Sequence, residues 1–312
     1  MTPSGTDPNG SSFTPEEAYA ALGHEVRIQI IKVLHDADEP LSFSELFNRI
    51  DYDTASNFAY HLNLLTNPFV KQTEAGYSLT WTGKLVARSA ILAGQVAAQS
   101  RIEPTGIDAS CPLCGAGLLV SYGDNIMRIR CIECVGLWEH GPSGLVITFN
   151  VPPMSLGSRT LGEAFYDMAG KAFGDITSIA SGWCPVCAST VERSVSVCDD
   201  HDATHAHHCD ACTHHFATAV RHDCDGCHFG ISKLPASLVL LADGSLDDVL
   251  ATYGIRFPRG WDAYKLALGV EEDLLDSDPV RLRLSFPTDE GLMTVTVDGD
   301  LNVLGHELTG SR

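Results

Sequence analysis

The stretch CDDHDATHAHHCDAC, residues 198–212, sets Cys198, Cys209 and Cys212 among His201, His205, His207 and His208. Thiolates and imidazoles at this density are ligands for a borderline-soft metal ion. The chain has 11 cysteines. They form the C-x-x-C pairs Cys111/Cys114, Cys131/Cys134, Cys184/Cys187, Cys209/Cys212 and Cys224/Cys227, and the remaining Cys198 opens a C-x-x-H pair with His201. Two residues between ligands make a tight knuckle that turns both donor atoms toward one ion, and two knuckles close a tetrahedral shell. Six pairs therefore predict about three Zn2+ ions per chain with no thiol to spare. An odd number of cysteines cannot pair off completely as disulfides, and a cytosolic chain keeps its thiols reduced.

The first shell, Cys111, Cys114, Cys131 and Cys134, brackets two alternating segments, LLVSY and IMRIRC, joined by the turn GDN. That reads as a zinc ribbon, with GLVITFNVPP as a third strand. Pairing the other knuckles in sequence order needs a tight turn inside ASTVERSVSV and another inside THHFATAVRHD. Neither contains Gly, Pro, Asn-Gly or Asp-Gly. Both read instead as single strands of similar length, 187–198 and 212–224, the two legs of one hairpin. The expected shells are then Cys184, Cys187, Cys224 and Cys227 at one end, and Cys198, His201, Cys209 and Cys212 at the other. Sequence-order pairing is the alternative, and His208 is an alternative to His201. The other histidines, His205, His207, His208, His214, His215, His222 and His228, read as solvated polar residues. A labile fourth metal site or a pH-responsive patch is the competing reading.

Shells filled by protein ligands leave no open position for a reactive water. No H-E-x-x-H, G-x-S-x-G, Walker or G-x-G-x-x-G motif occurs. The CPVC segment lacks a preceding H-x-E of the deaminase type, because His140 is followed by Gly and Pro. The expectation is a protein that is not an enzyme; oxidation of exposed thiolates, a redox switch, is the remaining thiol chemistry.

Such sites need a scaffold. The 312 residues, 44% hydrophobic, suffice for two or three domains with cores. No apolar run is long enough to span a membrane. The start MTPSGTDPNGSSFTPEE has neither the basic nor the apolar segment of a secretory signal. Residues 1–14 read as a disordered tail, and the chain is expected in the cytoplasm. Lys and Arg number 20 against 40 Asp and Glu, a net charge of −20. This reads as adaptation to high salt, where repulsion is screened within about 3 Å at 1 M.

Ahead of the cysteines, PEEAYAALGHEVRIQIIKVLHDA has helical period, with Leu22, Val26, Ile30, Ile31 and Leu34 on one side. DEPLSFSELFNRID follows, with Ser42 and Glu45 at capping-box spacing. YDTASNFAYHLNLLTN is a third helix, N-capped by Asp53 or Thr54, with Phe58, Leu62 and Leu65 facing inward. FVKQTEAGYSLTWTG reads as a hairpin, and WTGKLVARSAILAGQVAAQS as a final helix. This order is that of a winged helix-turn-helix. The outward face of the third helix would carry Ser56, Asn57, Tyr60 and Asn63, with Thr54 at its start; His61 at its edge reads either as a packed core-edge histidine or as a phosphate contact. Asn makes bidentate contacts to adenine; Ser and Tyr hold phosphates. Lys71 and Gln72 sit on the wing. Against this stands the net negative charge of residues 15–100, since DNA binders are usually basic.

AYAALGHEVRIQIIKVL resembles the first helix of ArsR-type winged-helix regulators, NFAYHLNLL their recognition helix, and GYSLTWTGKLVA their wing and following helix. The wider layout, over residues 15 to 230, is similar to transcriptional regulators of halophilic archaea. The resemblance implies binding of double-stranded DNA as a homodimer through the first and last helices of the module. The ArsR metal-sensing cysteine pair on the third helix is missing, since no cysteine precedes Cys111.

The expected fold class is α+β. A winged helix-turn-helix domain covers 15–105, a four-cysteine zinc ribbon 106–155, a linking helix 156–182, a two-zinc β-hairpin 183–230, and a helix-plus-antiparallel-sheet region 231–312. In that last region Tyr253, Phe257, Trp261 and Tyr264 could line a ligand pocket, and read preferentially as plain core. The expected function is a DNA-binding transcriptional regulator with structural zinc in a partner-binding region. The alternative is an adaptor that contacts the transcription machinery, resembling archaeal transcription factor E.

Overall fold

The computed structural model describes residues 14–94, 101–139, 142–157 and 159–310. Residues 1–13 of the expected tail, residues 95–100 of the expected last helix of the first module, and His140 lie outside the described residues. The fold is mixed α+β with small antiparallel sheets, divided into two compact units, Met1–Ala97 and Ala98–Arg312.

The first unit runs α1 (Pro15–Ala20), α2 (Glu25–His35), α3 (Phe43–Ile50), α4 (Ala55–Leu65), β1 (Val70–Thr73), β2 (Gly76–Leu79) and α5 (Trp81–Gly94). The expected first helix is two. His24 is extended (φ −151°, ψ 137°) and its Nδ1 accepts the Val26 N–H, so a new helix starts there. Thr14 and Ser42 form capping boxes with Glu17 and Glu45. Ile30 and Ile31 of α2, Leu46 of α3, and Phe58, Leu62 and Leu65 of α4 make the core. The hairpin β1–β2 is anchored by Leu41 and Tyr77, which exchange backbone hydrogen bonds of 3.0 and 2.8 Å. Gly76 beside it has φ +124°, and a Cβ there would lie 2.5 Å from the Leu41 carbonyl oxygen. Only glycine fits.

The second unit opens with a sheet ordered β3 (Ile102–Ser110), β4 (Gly117–Gly123), β5 (Ile126–Cys131), β6 (Leu145–Asn150). The long helix α6 (Leu161–Ala180) follows, capped by Thr160 and Glu163. Next come β7 (Val191–Val197), β8 (Thr218–Cys224) and β9 (Gly230–Leu234), a second sheet in that order. Helices α7 (Ala236–Ala242), α8 (Asp247–Thr252) and α9 (Trp261–Leu268) lead to the meander β10 (Glu271–Ser277), β11 (Val280–Thr288), β12 (Gly291–Asp298), β13 (Val303–Gly310).

Two expectations change here. Strand β3 begins before residue 106 and pairs with β4, so the boundary expected at 105/106 cuts through a sheet. The four pieces expected after it share one core, in which Met127, Phe165, Val220, Leu240, Tyr264 and Phe286 are buried together. A polar staple crosses that core. The Thr218 N–H (2.9 Å) and hydroxyl (2.6 Å) donate to the Glu272 carboxylate, and the hydroxyl accepts the Ala236 N–H at 2.9 Å. Burial raises the Glu272 pKa against the pull of these donors. Glu272→Ala leaves buried donors on β8 without a partner, so urea denaturation of the full chain should show a loss of about 1–3 kcal/mol.

Candidate metal centres

Each C-x-x-C knuckle is a loop that folds back on its first cysteine. In four of them the residue after the second cysteine takes positive φ: Gly115 (78°), Ala188 (59°), Thr213 (62°) and His228 (57°). Its N–H donates to the carbonyl of the first cysteine, at 2.9 Å (Cys111), 2.9 Å (Cys184), 2.8 Å (Cys209) and 3.1 Å (Cys224). The first cysteine's own N–H then donates to Ala116, Ser189, His214 or Phe229. Left-handed backbone is costly for a residue with a Cβ, of order 1 kcal/mol each, and three of these four are not glycine. The loops hold it because it turns both sulfurs to one side.

The knuckles meet in three groups: Cys111, Cys114, Cys131 and Cys134; Cys184, Cys187, Cys224 and Cys227; Cys198, His201, Cys209 and Cys212. In each, the donor atoms lie within 4.8 Å of one another. The second and third groups are the crossed arrangement, set by β7 and β8 pairing as two legs from Val191↔Cys224 to Val197↔Thr218. Sulfur–sulfur distances are 3.7 Å (Cys111–Cys134), 3.4 Å (Cys114–Cys131), 3.6 Å (Cys184–Cys227), 3.4 Å (Cys187–Cys224) and 3.9 Å (Cys198–Cys209). A disulfide needs about 2.05 Å. A tetrahedral ion with sulfur at about 2.3 Å has edges of about 3.8 Å. The donor sets therefore fit a tetrahedral metal ion such as zinc.

Electrostatics agree. The thiols split: burial, and after it the Cys131 sulfur, pushes Cys134 up to about 12, and burial with the Cys209 and Cys198 sulfurs does the same to Cys212, while against burial backbone hydrogen bonds hold Cys131, Cys184 and Cys209 below the usual thiol value. A cation at the centre reverses that repulsion. Backbone N–H groups already point at the sulfurs: Glu133 and Cys134 at Cys131 (both 3.4 Å), Val186 at Cys184 (3.4 Å), Gly226 and Cys227 at Cys224 (3.3 and 3.5 Å). Hydrogen bonds from the Ser189 hydroxyl and N–H hold Cys187 down at about 6. In the third group, His201 Nε2 lies 3.1 Å from the His215 carbonyl oxygen. A carbonyl only accepts, so Nε2 carries the proton and Nδ1, 3.5 Å from the Cys212 sulfur, is the ligand atom. His208 belongs to none of the groups.

The surplus histidines are not all solvated. His222 is 1% exposed, and burial holds its pKa below the usual histidine value. His214, His215 and His208 are half-buried; His205, His207 and His228 are exposed. Tyr264 and Trp261 are fully buried, while Tyr253 is half-buried and Phe257 exposed.

On α4, Ser56, Asn57, Tyr60 and Asn63 are exposed, as are Thr54 before it and Lys71 and Gln72 on β1. Thr54 makes no side-chain cap bond. Of the two readings of His61, the packed core-edge histidine fits the structure and the phosphate contact does not. It is buried, lies 3.3 Å from the Tyr52 hydroxyl and packs 4.3 Å from the His24 ring. Helical spacing puts it beside Phe58 and Leu62 rather than Tyr60. Burial, then His24 and Arg27, lower its pKa. A depressed histidine pKa gives stability that is present above the unfolded value, about 6.5, and is lost as pH falls through the folded one. Amide-exchange protection of α2 and α4, corrected for intrinsic rates, should fall as pH drops below about 6.5, and His61→Leu should flatten that dependence.

Residues 15–90 match the family described as Domain of unknown function (DUF7347). Residues 108–303 match the family described as Domain of unknown function (DUF7351), a span holding all three cysteine groups, both sheets that frame them and most of the C-terminal meander. No curated protein and no solved structure matches the chain. By the match over 108–303, the chain belongs to the DUF7351 family.

Proposed function

We propose that the chain is a DNA-binding transcriptional regulator. In this reading the first unit is an ArsR-like winged helix-turn-helix: α3 and α4 form the helix pair, α4 enters the major groove, and β1–β2 is the wing. The observation that carries it is the exposed face of α4. Ser56, Asn57, Tyr60 and Asn63 all point outward there, and Tyr60 is 61% exposed. No Asp or Glu occurs from Thr54 to Thr73 in a chain with 40 acidic residues. Amides and hydroxyls facing out from a helix without carboxylates suit base edges and phosphates. A homodimer is supported by exposed Trp81, Leu85 and Leu92 on α5, apolar residues at helical spacing that a second copy would cover.

The second unit, in the same reading, holds three structural Zn2+ ions. Thiolate-rich tetrahedral shells select zinc over harder cations, and four protein ligands leave no position for catalysis. The first group with β4 and β5 acts as a zinc ribbon. Bound zinc would fix the knuckles and, through them, the ends of β4, β5, β7 and β8.

Sequence-selective DNA binding in molar KCl tests the first half. Asn57→Ala and Tyr60→Ala should each lose selectivity while far-ultraviolet circular dichroism stays unchanged; unaltered affinity in both would overturn the assigned face. Elemental analysis tests the second. It should return about three zinc ions per chain, and a folded protein purified without metal would sink the zinc assignment.

A further inference from the structure

The second unit contains a cavity of about 550 Å3 that no part of the regulator reading uses. Its walls come from β6, α6, β9 and the Cys184–Cys187 knuckle, which contributes Pro185 and Val186. The volume lies in the range of small-molecule sites. Phe149, Met168, Ile176 and Leu238 make the interior apolar.

Charge is distributed unevenly around it. The lysines of this unit are Lys171, Lys233 and Lys265, and two of them, Lys171 and Lys233, line the cavity. Lys171 is matched by Asp175, also on the wall, at 2.6 Å. Lys233 instead sits over the Trp138 ring, 6.0 Å from its centroid, a cation–π contact, and makes no ion pair among the described residues. Its backbone is unusual. Lys233 lies in β9 with φ +65°, at a register shift between Val220 and His222 of β8. A long side chain in left-handed backbone within a strand is strained, and such bulges re-aim a side chain. Here the re-aimed group is an ammonium with no ion-pair partner among the described residues, at an apolar cavity, in a chain of net charge −20.

A second feature marks the wall. The Tyr264 hydroxyl is buried and has no hydrogen-bond partner among the described residues. Buried tyrosines in a closed core normally find one; this hydroxyl is closed off within the wall, so the polar contact of a guest falls to Lys233.

We propose that this cavity is a binding site for a small amphiphilic carboxylate, its apolar body against Phe149, Met168, Ile176 and Leu238 and its anionic head at Lys233. The site stands whether or not the first unit binds DNA, because it is read by ligand binding alone.

Isothermal titration calorimetry on the metal-loaded full chain tests it, with decanoate, 1-decanol and decyltrimethylammonium as probes below their micelle concentrations. Decanoate should saturate at one per chain, decanol should bind roughly tenfold more weakly, and the cation should not bind. Lys233 is exposed, so Lys233→Gln should fold normally; it should weaken decanoate roughly tenfold and leave decanol unchanged. Ala172→Phe, which fills the cavity from α6, should remove binding of both with circular dichroism unaltered. No saturable decanoate binding, equal binding of anion and cation, or an unchanged decanoate affinity in Lys233→Gln would each overturn the proposal.

Discussion

Sulfur converging on sulfur is the constraint around which the second unit is arranged. Eleven thiols and one imidazole meet in three groups with donor atoms inside 4.8 Å. Four thiolates would leave a shell negative even around a dication, and the surrounding chain is acidic as well. The protein answers with backbone. N–H groups of Glu133, Cys134, Val186, Gly226 and Cys227 are directed at sulfur, spreading the charge into main-chain dipoles that need no cationic side chains. That device suits a sequence poor in lysine.

The same groups tie the unit together over long sequence distances. The second joins Cys184 to Cys227 across the whole of β7, the intervening loop and β8. The loop of the third docks on the first, where Val135 N–H donates to the His205 carbonyl, His215 N–H to the Leu137 carbonyl, and Trp138 packs edge-on against His214. Segments that look modular in sequence thus have no separate cores. Helix α6 is the common wall, burying Phe165, Phe173 and Ile176 against aromatic residues of α9.

Legibility in the sequence followed local physics. The six knuckles and the crossed grouping were readable because ligand spacing is a local code, and because strands without turn residues cannot double back. The capping box at Ser42 and the helices of the first unit were readable from period and caps. The edge strands were not. Strand β3 carries Pro104 and Gly106, which mask a strand pattern although an edge tolerates both; in β10, EEDLLDS, acids stand where apolar residues would mark a strand. The break at His24 was hidden because a histidine seldom caps a helix. Lys233 could not be singled out either, since its position comes from a bulge formed only when β8 and β9 pair. His61 stood between a packed edge and a phosphate contact because it is one residue from exposed Tyr60; its packing on Tyr52 and His24 places it on the buried side.

The proposed DNA reading must also meet a charge constraint. Counterion release supplies much of the affinity of ordinary DNA binders, and it weakens steeply as salt rises. A chain of net charge −20 facing a phosphate backbone at low salt would be repelled; in molar salt, repulsion beyond about 3 Å is screened, and short-range contacts decide. What then matters is the local surface rather than the total. The exposed face of α4 meets that requirement by exclusion: its outward residues are Ser, Asn and Tyr, and the nearest carboxylates in sequence, Asp53 and Glu74, lie just outside the segment 54–73. Affinity built this way should depend weakly on salt, because few lysines or arginines are present to displace counterions. That weak dependence separates a polar, shape-reading interface from a basic one, and it follows from composition before any operator is known.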